Sequence, residues 1–158
     1  MKVLNKVMLG AAALVLLTGC SSLSKVEYAK FHEEALAAAE ARETCGLSKV
    51  VVKGTVTSEG QEIKIDSTLG AENGVLNGEG VEDMYDLVAA MIASTTAESV
   101  PEAGENEGVT YYCGGGFKYE QKLDDLKGTA VFNKYGLLTS MTSSEGNNKS
   151  NIKLTWRK

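Results

Sequence analysis

The chain has 158 residues, with 16 Lys and Arg against 21 Asp and Glu, a formal net charge of −5, 17 glycines, one proline and three cysteines. That length suits one hydrophobic core and is short for two. The acidic balance disfavours partners that present phosphate, so no nucleic-acid partner is expected.

Lys2 and Lys6 lead into an unbroken apolar and small run over 7–17, followed by Thr18, Gly19 and Cys20. A spanning helix needs about 20 apolar residues and a secretory apolar region only about 7 to 15, so the run predicts an export signal rather than a permanent span. The segment Leu17-Thr18-Gly19-Cys20, with its basic and apolar lead, resembles the signal of bacterial lipoprotein precursors. The resemblance implies that the Cys20 thiol is diacylglycerylated, that the chain is cut after Gly19, and that the freed amine of Cys20 is acylated in many hosts. Two or more acyl chains, at about 0.8 kcal/mol per buried methylene, hold a protein stably to a bilayer. Ser21 rather than aspartate after the cysteine implies, by the same resemblance, the outer membrane where the host has one. The expected organisation is therefore a signal peptide over 1–19, a lipidated N-terminus and short linker over 20–23, and a single domain over 24–158. That domain stands on the non-cytoplasmic side of a cell-envelope membrane.

Losing the first 19 of 158 residues leaves 139, and the departure of Lys2 and Lys6 takes the net charge from −5 to −7. On that total, acyl chains rather than a basic patch are expected to do the anchoring. Cys45 and Cys113 remain as an even pair in an exported chain, which predicts a disulfide contributing about 4 kcal/mol in the chain-entropy model.

Ser24-Lys25-Val26-Glu27 reads as a capping box with Leu23 and Tyr28 at the staple positions, so a helix is expected to start there and end near Gly46. Tyr28, Phe31, Ala35, Ala38, Ala39 and Cys45 fall largely along one side of it, and its acidic remainder suits packing on a protein core rather than on lipid. His32 is the sole histidine and lacks the second histidine of a zinc-protease motif, so solvent exposure is expected rather than metal ligation.

Strands are expected over 50–57 and 62–69, the second alternating Ile63, Ile65 and Leu69 against Glu62, Lys64, Asp66 and Thr68, with a short third over 75–77. A second helix follows. Its stripe of Val81, Met84, Leu87, Val88, Met91, Ile92 and Thr95 is expected to face the core, and Met84, Val88, Met91 and Ile92 are the residues that would line an apolar pocket. Glu98, Glu102, Glu105 and Glu107 lack EF-hand spacing and read as a solvated loop, not a metal site. Five strands over 109–113, 117–123, 129–133, 137–142 and 151–157, joined by short turns, complete an antiparallel sheet.

The expected fold is α+β, an antiparallel sheet of about seven strands packed on two helices after a cleaved signal helix. Its element order, with the segment from Gly128 to Leu138, resembles the half-barrel lipoproteins and lipoprotein carriers of bacterial envelopes; a cystatin-like sheet on a helix is nearly as compatible. No nucleophile motif or P-loop is present, and no catalytic residue or cofactor is expected. The expected function is that of a membrane-anchored envelope lipoprotein with a structural or protein-interaction role, its partners the bilayer through acylated Cys20 and another envelope protein. The alternative is a lipid-anchored binding module for an apolar ligand.

Overall fold

A computed structural model describes residues 23–158; the expected signal peptide and Cys20 lie outside the described residues. In chain order the elements are β1 (Ser24–Val26), α1 (Tyr28–Arg42), β2 (Lys49–Ser58), β3 (Gln61–Glu72), β4 (Val75–Leu76), α2 (Met84–Ala93), a 3-10 turn (Ala97–Ser99), β5 (Val109–Cys113), β6 (Phe117–Leu123), β7 (Leu126–Phe132), β8 (Leu138–Glu145) and β9 (Asn148–Arg157). The fold is α+β, with one antiparallel sheet in the order β1-β5-β6-β7-β8-β9-β2-β3-β4. Nine strands rather than about seven are present among the described residues. The short β4 falls within the third strand expected over 75–77 and pairs with β3, whereas β1, which was not expected, is held by β5 alone.

Two local meanders build the sheet, β2-β3-β4 and β5 through β9, and β2 joins them by pairing with β9 from Lys49↔Arg157 to Thr57↔Lys149. The first meander turns at Glu59-Gly60 and Asn73-Gly74, where all four residues have positive φ (52°, 81°, 48° and 79°). Two successive positive values are what a two-residue type I′ hairpin requires, and glycine supplies the second at no steric cost.

Register fixes which side chains share a face. Val50 and Val52 of β2, Ile65 and Leu69 of β3, Ile152 and Leu154 of β9, and Phe117 and Phe132 of β6 and β7 all point inward and are buried. Both helices pack on this inner face, with Phe31, Ala35 and Ala38 of α1 and Ala89 and Ala93 of α2 completing one continuous hydrophobic cluster. A register shift between Val131 and Phe132 interrupts the β7–β8 ladder. There the Trp156 indole donates to the Leu138 carbonyl at 2.8 Å, giving a buried backbone acceptor a partner that the ladder does not supply.

Two expectations are corrected here. The capping box is not formed: Ser24 lies in β1 opposite Cys113, and α1 begins at Tyr28 with Glu27 as an N-cap that makes no side-chain bond. Pairing to the free edge of β5 satisfies more backbone groups than one local cap does. The second correction concerns α2, whose apolar stripe faces away from the core.

Candidate functional site

Met84, Leu87, Val88 and Met91 stand at i, i+3, i+4 and i+7 of α2, so helix geometry gathers them on one side. They are 70%, 47%, 36% and 68% exposed, and Tyr85 beside them is 53% exposed. The opposite stripe, Asp86, Ala89, Ala90 and Ala93 at the same spacing, is the one that meets the sheet, with Ala89 and Ala93 fully enclosed. Ile92 is half-buried between the two. Burying a side chain of this size contributes about 1.5–3 kcal/mol, so four left in water on a single stripe form an unused contact surface.

The polar anchor of α2 explains its orientation. Ser67 is a polar side chain buried on the inner face of the sheet, and its hydroxyl donates to the Asp86 carboxylate at 2.6 Å. The Glu82 amide donates to the same carboxylate at 3.0 Å, and Asp83 caps the helix by accepting from the Asp86 amide at 2.9 Å. Turning the large residues inward would strand the Ser67 hydroxyl without a partner in an apolar layer. The Ser67 hydroxyl, followed by the Glu82 amide, holds the Asp86 carboxyl below its ordinary value of 3.8. A carboxyl lowered on folding contributes stability that is whole above its unfolded pKa and is lost as pH falls through the folded one. The seat of α2 therefore holds through neutral pH and weakens progressively in acid, as pH falls through the ordinary carboxylate value toward the lowered one. Ser67→Ala is expected to raise the Asp86 pKa toward its ordinary value and to move acid loss of α2 to higher pH, read by carbon-detected NMR titration. An unmoved Asp86 titration would show that the hydroxyl is not its principal partner.

The remaining segment of the helical layer is pinned by aromatic hydroxyls and one ion pair. Tyr28 donates to the Val100 carbonyl at 3.0 Å, and Tyr111 donates to the Pro101 carbonyl at 3.1 Å while accepting from the Ala103 amide at 2.9 Å. Arg42, at the end of α1, pairs with Glu98 and donates to the Tyr135 carbonyl at 3.1 Å. Glu98 is thereby taken out of the acidic loop of which it was expected to be part. Among the described residues no three His, Cys, Asp or Glu side chains converge as a metal site.

Two grooves flank α1. One of about 780 Å³ runs between the helix and the β3–β4 hairpin, lined by Leu36, Ala39, Val75 and Leu76 with Arg42 and Glu43 at its rim. The other, about 390 Å³, lies between α1 and Gly114–Phe117 and includes Cys113. None of Met84, Val88, Met91 and Ile92 lines either groove. Cys45 and Cys113 are both buried and both free thiols, so the expected bridge is not made in this structure; burial pushes the Cys113 thiol up from its ordinary value. His32 is half-buried rather than exposed, stacked on the Tyr28 ring at 5.5 Å, and its Nδ1 has no hydrogen-bond partner among the described residues.

Charge is divided between the two sides of the sheet in a way that the total conceals. Every strand lysine and arginine lies on the outer face: Lys25, Lys49, Lys53 and Lys64 on β1 to β3, Lys118, Lys122 and Lys127 on β6 and β7, and Lys149, Lys153 and Arg157 on β9. Against these ten stand four outward acids, Glu62, Asp66, Glu72 and Glu120. Among the described residues only Lys118 is paired there, with Glu120 at 2.8 Å. Conversely, residues 65–117, which include α2, hold ten Asp and Glu and no Lys or Arg; two of the ten are the outward Asp66 and Glu72 just counted, and eight lie elsewhere. The molecule is bipolar, with a basic outer sheet face and an acidic stretch that carries α2.

No family model, no curated protein and no solved structure matches the chain.

Proposed function

We propose that this chain is a lipid-anchored protein of the bacterial cell envelope, held by acylated Cys20 on the non-cytoplasmic side of a membrane, the outer one where two exist, and that its role there is to hold another protein. The export signal in the sequence supports the address. The outward stripe of Met84, Leu87, Val88 and Met91 supports the role, because a side chain of that kind is left in water at a cost unless something covers it. An apolar-ligand module of the half-barrel type is the weaker reading, since three of the residues that would line its pocket, Met84, Val88 and Met91, are on the surface of α2.

A photo-crosslinking amino acid placed at Met84 or Met91 in cells is expected to capture one discrete partner, while the same probe at Ser140 on the opposite face of the sheet does not. Equal capture from both faces, or none from α2, overturns the role. The address is tested separately by mass spectrometry of the mature N-terminus, which is expected to be a fatty-acylated Cys20.

A further inference from the structure

On the outer face of the sheet, like charges stand directly opposite one another three times: Lys53 faces Lys153, Lys49 faces Arg157, and Lys122 faces Lys127. Directly opposed like charges destabilise a strand pair. None of the six has an ion-pair partner among the described residues, although Asp66 on β3 stands across from Lys53; Lys25, Lys64, Lys118 and Lys149 add to the cations, and the four acids Glu62, Asp66, Glu72 and Glu120 do not balance them. A face that kept its lysines only for solubility would alternate their sign; repeated cationic pairs are relieved when an anionic surface supplies the missing counter-charges.

We propose that this face docks on the anionic phospholipid headgroups of the bilayer that carries the protein's own anchor. The inference rests on the lipid-anchored reading above, and two observations select the occupant. Charge complementarity is the first. The second is reach: Ser24 sits on β1, an edge of this same sheet, and the four residues from Cys20 span at most about 14 Å, so that edge stays near the headgroups and the face beside it can lie down on them. With the face laid on the bilayer, the opposed lysines come within about one Debye length, roughly 8 Å at physiological salt, of the lipid phosphates. Docking in this manner turns α2 and its acidic surroundings away from the bilayer, toward the envelope space where a protein partner is met. A second copy of the chain meeting this face with its own is a poor occupant, since cation would meet cation.

The test uses the full processed protein reconstituted in vesicles of phosphatidylcholine alone, and in vesicles of equal parts phosphatidylcholine and phosphatidylglycerol, with lysine acetylation read residue by residue by mass spectrometry. Lys53, Lys153, Lys122 and Lys127 are expected to be protected several-fold in the anionic vesicles and not in the neutral ones, while Lys30 on α1 and Lys134 in the β7–β8 turn label alike in both. The protection should vanish at about 1 M salt, where the Debye length shrinks to roughly 3 Å. Lys153→Glu supplies a readout that a purely structural lysine would not give: the variant is expected to melt higher, because it replaces a repulsive pair by an attractive one, and yet to lose protection at Lys122 and Lys127. Protein that floats with both kinds of vesicle but labels alike in them overturns the docking face and leaves the anchor standing. Protein that does not float with neutral vesicles overturns the anchored reading on which the face depends.

Discussion

Replacing Phe31 with alanine is expected to destabilise the protein by about 3–5 kcal/mol, the usual range for removing a buried aromatic ring. The ring is fully buried, 5.2 Å from Tyr111 and edge-on to Phe117 at 5.5 Å, so its loss opens a void at the point where α1 meets β5 and β6. Neither neighbour is free to fill it. Tyr111 is tied through its hydroxyl to Pro101 and Ala103, and Phe117 is held in the β6 ladder opposite Phe132. Against a total of about 5–15 kcal/mol for a domain of ordinary stability, that loss removes a large share. Urea unfolding followed by circular dichroism measures it, with Leu36→Ala as the control from the same helix. Leu36 is 49% exposed, and its truncation is expected to stay within about 0.5 kcal/mol. Equal effects at the two positions would mean that α1 does not pack by the side described.

Gly54→Ala is expected to be comparably severe, for a steric rather than a cavity reason. A Cβ built at Gly54 would lie 2.0 Å from the Asn151 carbonyl oxygen and 2.8 Å from the Ile152 Cα, both backbone atoms of β9. No rotamer change relieves such a contact, so the β2 and β9 backbones must move apart at the middle of their ladder, where Gly54 faces Ile152. Overpacking costs typically 1–3 kcal/mol when side chains can give way; with backbone on both sides about 3 kcal/mol or more is expected. Gly60→Ala is the comparison that separates space from conformation. Nothing lies within 4 Å of a Cβ there, although φ is +81°, so only the strain of a left-handed residue is incurred, about 1 kcal/mol. Thermal melts of the two variants should differ clearly, and similar midpoints would show that β2 and β9 are looser than their register implies.

The strands were legible in the sequence because their signal is local. Alternation of Ile63, Ile65 and Leu69 with Glu62, Lys64, Asp66 and Thr68 is visible in eight residues, and the faces that it assigns are those seen. The start of α1 was not legible, since whether Ser24-Lys25-Val26 caps a helix or joins a strand depends on an edge presented by residues nearly ninety positions later. For α2 the period was read correctly and the direction was not. Two stripes recur at the same helical spacing, one large and apolar and one small with an aspartate, and a hydrophobicity argument chooses the larger. The choice is decided by Ser67, a buried hydroxyl on β3 that no helical pattern can reveal. The candidate basic face was hidden for a related reason: a net charge is a sum, and the lysines on β2 and β9 become neighbours only once those strands are paired. An acidic total had suggested a molecule uniformly averse to anionic surfaces.

Residues 49–57 meet residues 149–157 at the seam between the two meanders. A ribosome makes the second half of that seam last, and closing a loop of about a hundred residues is slow compared with forming either meander alone. The seam therefore stays open until β9 is synthesised, with Val50 and Val52 lacking their β9 neighbours Trp156 and Leu154. On the proposed export route that delay is useful, because a polypeptide that cannot lock early remains thin enough to thread a translocation pore, and β9 closes the seam on the far side.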